Sequence, residues 1–347
     1  MKTLEILKSL TESSGISGDE QEVAELVRKF FSQNADKAYL DKFKNVIGYK
    51  KGITSEGKIM FASHIDQIGM MVNKIDKNGF IYFVPIGGHD PRVLVGQNVL
   101  IFGKEKIKGV IGSTPPHLQK KEDQNKVTPI ENLYIDTGLK KEFVEKNVSV
   151  GDTIVFDTAG AELQNNNMAS QAMDNRAGVV VLVETLNELT KMKHNWDVFM
   201  VGTSQEEVGV RGVSTCTYEI KPDVGVVIDV TFGYSPGAKK HKVYKLNKGG
   251  TIASGPNFHP FLTKKLKEIA NEWEIPFQSS FAARPGGTDA YSMQISGEGV
   301  PVVQMGIPLR YMHTTVETLN IKDIKRMAKI LAIFVSNVDD FYKEVKH

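Results

Sequence analysis

A chain of 347 residues is long enough for a full α/β core and a second, smaller domain, since ordinary domains take about 100 to 200 residues. Its 41% hydrophobic and 24% charged residues are the balance of an ordinary globular protein, and a formal net charge of +2 gives no field that would select nucleic acid or a membrane. A single cysteine, Cys216, excludes a disulfide within the chain, reads as packing, and makes a reducing cytosol the easiest setting.

Residues 1–10 carry Leu4, Ile6, Leu7 and Leu10 among Lys and Glu, which is helical periodicity without the apolar core of a signal peptide. No apolar run approaches the roughly 18 residues that span a bilayer, so a soluble, cytoplasmic protein is expected. Ser17-Gly18-Asp19-Glu20 has the spacing of a capping box, and Val23, Leu26, Val27, Phe30 and Phe31 then recur on one helical face. From Met70 to about Asp157 the texture changes to short alternating runs. Runs 70–75 and 80–84 flank Asp76-Lys77-Asn78-Gly79, whose Asn-Gly supports a hairpin, and 99–102, 107–111 and 153–156 continue the pattern. Gln164-Asn165-Asn166-Asn167 reads as a return linker. The expected division is a β-rich insert, 69–164, within an α/β portion made of 1–68 and 165–347. From Val179 onward helix and strand alternate, ending in a helix from Ile321 to about Tyr342, and this order implies a largely parallel sheet. The basic run Lys239, Lys240, His241, Lys242 reads as a solvated loop face.

Five metal-favouring side chains stand far apart in the chain, four of them where a predicted strand ends. They are His64 after 58–62, Glu207 after 198–203, Asp229 closing 224–228 and His313 beyond 300–306. In an open α/β sheet those strand ends face one crevice. Asp174 instead opens a helix, where it reads as an N-cap whose two oxygens can also bridge two cations. Two His and three carboxylates suit one or two zinc-like ions, with Glu206 left over as a base. In an extended segment Glu206 and Glu207 would point to opposite sides, one to a water and the other to metal. At a turn after His64, Asp66 can fold back to hold the far ring nitrogen and fix its tautomer.

Taken singly, each of these has a plainer reading: a buried His satisfied by an Asp, a helix cap, a solvated Glu pair, an ion pair for Asp229 or a polar loop for His313. Together they point to a metal-dependent hydrolase. Gly287, Thr288 and Asp289, after Pro285-Gly286, could bring backbone N–H groups close to a substrate. His89, His117, His194, His241, His259 and His347 lack partners at comparable strand ends and stand outside the site.

In order, His64-Ile65-Asp66, Asp174-Asn175-Arg176, Glu206-Glu207-Val208-Gly209, Asp229, Gly287-Thr288-Asp289-Ala290 and Tyr311-Met312-His313 resemble the M42 aminopeptidases. That group includes the self-compartmentalising TET peptidases and the glutamyl aminopeptidases of Gram-positive bacteria, and the resemblance covers nearly the whole chain. It implies a mostly parallel-sheet, zinc-peptidase-like catalytic domain with a small β-barrel-like insert. It also implies two divalent ions per chain, zinc or cobalt, bridged by Asp174, with His64 and Asp229 completing one shell and Glu207 and His313 the other. Glu206 would be the general base, Asp66 would orient His64, short peptides would be the substrates, and the chain would assemble into a dodecameric tetrahedral shell. Gln67 departs from the pattern, because relatives commonly carry Glu there; it removes a charge near the metals without removing a ligand. The rival readings are a related binuclear amidohydrolase, either a carboxypeptidase or a deacylase, and a glycosidase. The latter would need two carboxyl groups about 5 to 9.5 Å apart flanking a sugar and ordinarily no metal.

Overall fold

Apolar runs buried on both faces build the centre of the molecule. In the computed structural model, which describes residues 2–284 and 286–342, Val224–Phe232 is buried over its first six residues and Lys58–His64 over its last six. Such strands need neighbours on both sides and helices on both faces. They lie inside an eight-stranded sheet whose order is Lys37–Leu40, Val46–Lys50, Asp197–Thr203, Lys58–His64, Val224–Phe232, Val302–Leu309, Thr251–Ser254 and Gln278–Phe281. The four central strands, from Asp197–Thr203 to Val302–Leu309, run parallel, while antiparallel pairings flank them on either side. Pairing of Thr203 with His64 and of Asp229 with Gly306 brings the functional strand ends to one edge.

Met173–Leu189 and Ile321–Ser336 pack together on one face of this sheet, and Gly212–Ile220 with Asp289–Gln294 covers the other. The last helix stops at Ser336, and a separate turn of helix, Val338–Tyr342, follows Asn337. Gln21–Phe31 buries Val23, Ala24, Val27, Phe30 and Phe31, the face its periodicity predicts. Its start differs from the expected capping box. Gly18, at φ 93°, turns the chain, the helix begins only at Gln21, and Ser17 is too far back to cap it.

The β-rich segment forms a closed barrel of antiparallel strands ordered Gly69–Ile75, Ile81–Ile86, Tyr134–Asp136, Lys106–Gly112, Asn98–Phe102 and Thr153–Phe156. Closure removes exposed edges, and the inward-facing residues fill their own core, including Met70, Phe83, Val99, Ile101 and Ile154. The expected hairpin is present, with Gly79 at φ 94° and its N–H donating to the Asp76 carbonyl. The expected linker at Gln164 is instead a tight turn between two short strands, Ala161–Leu163 and Asn167–Ser170, and the second of these pairs with Glu317–Asn320. Among the described residues, no helix is long and apolar enough to cross a membrane.

Candidate metal centre

The five residues singled out for metal chemistry converge at the carboxyl edge of the central strands. His64 closes its strand, and its Nε2 lies 3.1 Å from Asp174 Oδ1 and 3.9 Å from Asp229 Oδ1. His313 Nε2 lies 3.4 Å from Asp174 Oδ2 and 3.3 Å from Glu207 Oε1. The two oxygens of Asp174 thus face two different imidazoles. His64, Asp174 and Glu207 also offer ligand atoms that all lie within 4.8 Å of one another. Two ligands about 2.1 Å from a tetrahedral zinc-like ion are separated by about 3.4 Å, so this donor set and its spacing fit divalent cations.

Asp174 does not cap its helix. Ala172, with φ 54°, takes the N-cap position, and Asp174 is non-helical at φ −80°, ψ 104° with a cis peptide bond to Asn175. Capping falls to Asn175, whose Oδ1 accepts from the Gly178 N–H at 3.2 Å. The Asp174 carboxylate is therefore free to face the histidines. Glu206 and Glu207 are not extended either, because Gly209 and Val210 donate their N–H groups to the Glu206 carbonyl and close a turn. Both side chains still reach the site, with Glu206 Oε2 standing 4.0 Å from His64 Nε2.

Around these residues the hydrogen bonds are mostly to main chain. The His64 Nδ1 lies 3.1 Å from the carbonyl of Asp66 and 3.6 Å from its carboxylate, so the main-chain oxygen is the nearer acceptor. The Asp66 carboxylate instead accepts from the Ser17 hydroxyl at 2.6 Å and from the N–H groups of Glu206 and Glu207 at 3.0 and 3.2 Å. His313 Nδ1 faces the Gly88 carbonyl at 3.0 Å, on a loop of the barrel. Glu317, also buried, accepts from the N–H groups of Asp174 and His313 at 3.1 and 2.7 Å. Arg176 is wholly buried, and its guanidinium donates to the carbonyls of Leu10, Ser13, Gly15 and Ile65.

Charge follows burial. Desolvation pushes the Glu206 carboxyl up to about 10 and the Asp229 carboxyl up to about 8. Burial also pushes Asp174 upward, but hydrogen bonds from His313 and His64 outweigh it and hold the group at about 2. His313 rises to about 11, first through its hydrogen bonds with Asp174 and Glu207. The protons that Asp229 and His313 retain are what a cation would displace.

Other expectations divide. Gly286 and Gly287 are exposed, and a Cβ on Gly287 would meet nothing within 4 Å, while Pro285 lies outside the described residues. Asp289 is buried and accepts from the Thr203 hydroxyl at 2.5 Å, with burial raising it to about 6. His89, set aside in the sequence, follows Gly88 and anchors that loop through Nε2, 2.7 Å from the Gly69 carbonyl. His194 is buried against the Trp196 carbonyl, His259 accepts from the Leu262 N–H, and His117 and His241 are exposed; His347 lies outside the described residues. Cys216 is buried and its thiol is pushed well up by desolvation, in keeping with packing.

A mostly parallel α/β sheet with His and carboxylate side chains gathered at its carboxyl edge, joined to a closed barrel, has the architecture of a zinc-peptidase-like metallopeptidase. The chain belongs to the M42 family: the family described as M42 glutamyl aminopeptidase matches residues 44–330. It is 36% identical over 331 residues to a lysyl aminopeptidase of Pyrococcus furiosus, covering 94% of each chain. Its structure is similar to aminopeptidase APDkam598 of Desulfurococcus kamchatkensis, with TM-score 0.93 and 37% identity over 99% of this chain and 98% of the other. It is also similar to the Pyrococcus horikoshii TET1 peptidase, described as assembling into a tetrahedron or a large octahedral shell, with TM-score 0.85 and 30% identity over 96% and 99%. The chain is accordingly a metal-dependent aminopeptidase, a hydrolase of peptide bonds.

Proposed function

We propose that the chain removes amino-terminal residues from short peptides at a centre for two divalent ions, zinc or cobalt. The observation that carries the ion count is the placement of Asp174 between His64 and His313, one oxygen toward each ring. His64 and Asp229 would hold one ion and His313 and Glu207 the other, with Asp174 shared. When bound, such ions polarise the scissile carbonyl and lower the pKa of an attacking water from 15.7 toward about 7.

The protein's own groups do the rest. Glu206 is buried and close to His64, its carboxyl pushed up to about 10 by burial and then by Asp229, Asp289 and Glu207 against the pull of His64. Cations nearby favour its ionised form, so Glu206 takes a proton from the attacking water and delivers one to the leaving amine. A free substrate α-amine would bind the second ion or a nearby carboxylate, which selects amino-terminal residues. Asp66 holds the Glu206-Glu207 turn by two N–H bonds, and Gly287 and Thr288, exposed or half-buried ahead of the helix that Asp289 opens, would bring backbone N–H groups close to a substrate.

The same proposal takes 1–68 with 165–347 as the catalytic part and 69–164 as the insert. It places the protein in the cytoplasm and takes it as a large homo-oligomer, a dodecamer; the likeness to the TET1 peptidase, described as a dodecamer in one structure and as a tetrahedron or large octahedral shell in another, supports the assembly. The deciding experiment is a panel of aminoacyl chromogenic substrates, free and N-acetylated, with zinc, cobalt or chelator. Cleavage of free-amine substrates that is lost with chelator supports the reading. Preference for N-acetylated substrates would shift it to a deacylase, and chelator-resistant turnover would exclude a metal centre.

A further inference from the structure

Glu317 opens the strand Glu317–Asn320, which is buried at every position. A carboxylate there is costly unless its oxygens are satisfied. Each has a main-chain partner: Oε1 accepts from His313 N–H at 2.7 Å and Oε2 from Asp174 N–H at 3.1 Å. One carboxylate thus ties together the backbones of two proposed ligands that lie far apart in the chain.

Both backbones need holding. His313 has φ 60°, in the left-handed region that non-glycine residues enter reluctantly. Asp174 leaves the helical conformation within the first turn of Met173–Leu189, so its N–H has no helical pattern to supply a partner. Asp66 makes the equivalent pair of bonds to Glu206 and Glu207, at 3.0 and 3.2 Å. Two carboxylates therefore hold the main chain of four residues at the cleft.

We infer that Glu317 is a positioning residue, locking the backbones of Asp174 and His313 so that the Asp174 carboxylate and the His313 Nε2 meet at one cation. The inference rests on the reading of this cluster as a metal centre. Each Glu317 oxygen accepts one main-chain N–H, and the positioning role acts through those two bonds whether or not the carboxylate also borders the cleft.

The test compares Glu317→Gln with Asp323→Asn. Asp323 is an equally buried carboxylate that accepts two main-chain N–H groups, from Asn247 at 2.6 Å and Gly249 at 2.7 Å, and touches none of the proposed ligands. Each protein is stripped of metal and titrated with Zn²⁺ against a chromogenic chelator, and thermal unfolding of the metal-free forms is followed in parallel. Glu317→Gln should bind at least one ion about 10- to 100-fold more weakly, the usual cost of removing a group that orients a ligand, while Asp323→Asn should bind both as the unaltered protein does. Wild-type affinity in Glu317→Gln, or an equal loss in Asp323→Asn, would overturn the positioning role. If Glu317→Gln does not fold, Glu317→Asp, which keeps the charge on a shorter stem, is titrated against the same two outcomes. Absence of zinc binding by the unaltered protein would instead overturn the metal centre itself.

Discussion

The main-chain N–H of Glu206 donates to Asp66 Oδ1 at 3.0 Å, so the proposed base is held by the residue that also supplies the nearer acceptor for the His64 ring. The ring's nearer acceptor is the Asp66 carbonyl at 3.1 Å, with the carboxylate behind it at 3.6 Å, whereas the Glu206-Glu207 turn hangs from the carboxylate alone. Asp66→Asn should therefore leave His64 oriented and disturb the turn. We expect kcat to fall about 10- to 100-fold with little change in affinity for the ion beside His64 and Asp229. Metal titration and steady-state kinetics on the same preparation decide this. Loss of that ion with kcat preserved would return the orienting role to the carboxylate.

Proton release should accompany metal loading. In the metal-free chain, burial raises Glu206 from 4.5 to about 10 and Asp229 from 3.8 to about 8, and hydrogen bonds to Asp174 and Glu207 raise His313 from 6.5 to about 11. Folded values above unfolded ones mean that the stability these groups contribute is full below their unfolded values and lost progressively as pH rises, completely above about 8 for Asp229, about 10 for Glu206 and about 11 for His313. Asp174 runs the other way: held at about 2 against 3.8, its contribution is present above about pH 4 and lost in acid. The melting temperature of the metal-free protein should thus fall progressively between about pH 5 and 10, most steeply at about 6.5 to 8 where all three groups contribute, while the zinc-loaded protein changes less. Calorimetric zinc titrations in two buffers of different ionisation enthalpy should report net proton release near pH 7. Buffer-independent heats would contradict the protonated metal-free cluster.

The candidate ligands are legible because their chemistry lies in the side chain and, Asp174 apart, their positions follow apolar strands. The last six residues of Lys58–His64 and the first six of Val224–Phe232 are buried, so their apolar runs stood out; His64 ends its strand as expected, whereas Asp229 ends only the buried run and its strand continues to Phe232. The barrel hairpin announced itself through Asn78-Gly79. Tyr134–Asp136 and Ala161–Leu163 were missed because three residues are too few to show alternation, and the second is exposed throughout, so its Ala-Glu-Leu marks no buried face. What holds the ligands was less legible. Gly88 acts through a carbonyl, which has no residue signature, and Ser17 had a local explanation as a cap that only the turn at Gly18 removes. Asp174 resembled an N-cap because the left-handed Ala172 that displaces it is not a residue type that announces such a turn.

Gly88 offers a direct probe of the barrel's part in the centre. A Cβ there would stand 3.2 Å from His313 Nδ1 and 3.5 Å from Cε1, so Gly88→Ala should push on the ring rather than strain its own backbone. Affinity for the ion beside His313 should drop up to about 10-fold. Gly287→Ala is the contrast, since its Cβ meets nothing within 4 Å, and it should leave metal affinity unchanged while raising KM if that loop touches substrate. Equal metal affinity for Gly88→Ala and the unaltered protein would detach the barrel loop from the centre.

Asp174→Asn should be worse for metal than His64→Ala. The carboxylate faces both imidazoles, 3.1 Å from His64 through one oxygen and 3.4 Å from His313 through the other, whereas His64 serves a single proposed ion. An amide keeps the shape but offers one oxygen and an N–H₂ that cannot bind a cation, and it removes the negative charge between the two positive centres. Removing His64 leaves Asp229, Asp174, Glu207 and His313 in place, so one ion should persist. The measurement is metal content after exhaustive dialysis against a fixed free zinc concentration: near one ion for His64→Ala and less than one for Asp174→Asn. Two tightly held ions in Asp174→Asn would show that the carboxylate does not bridge, and the separate shells of His64 and His313 would then have to hold their cations independently.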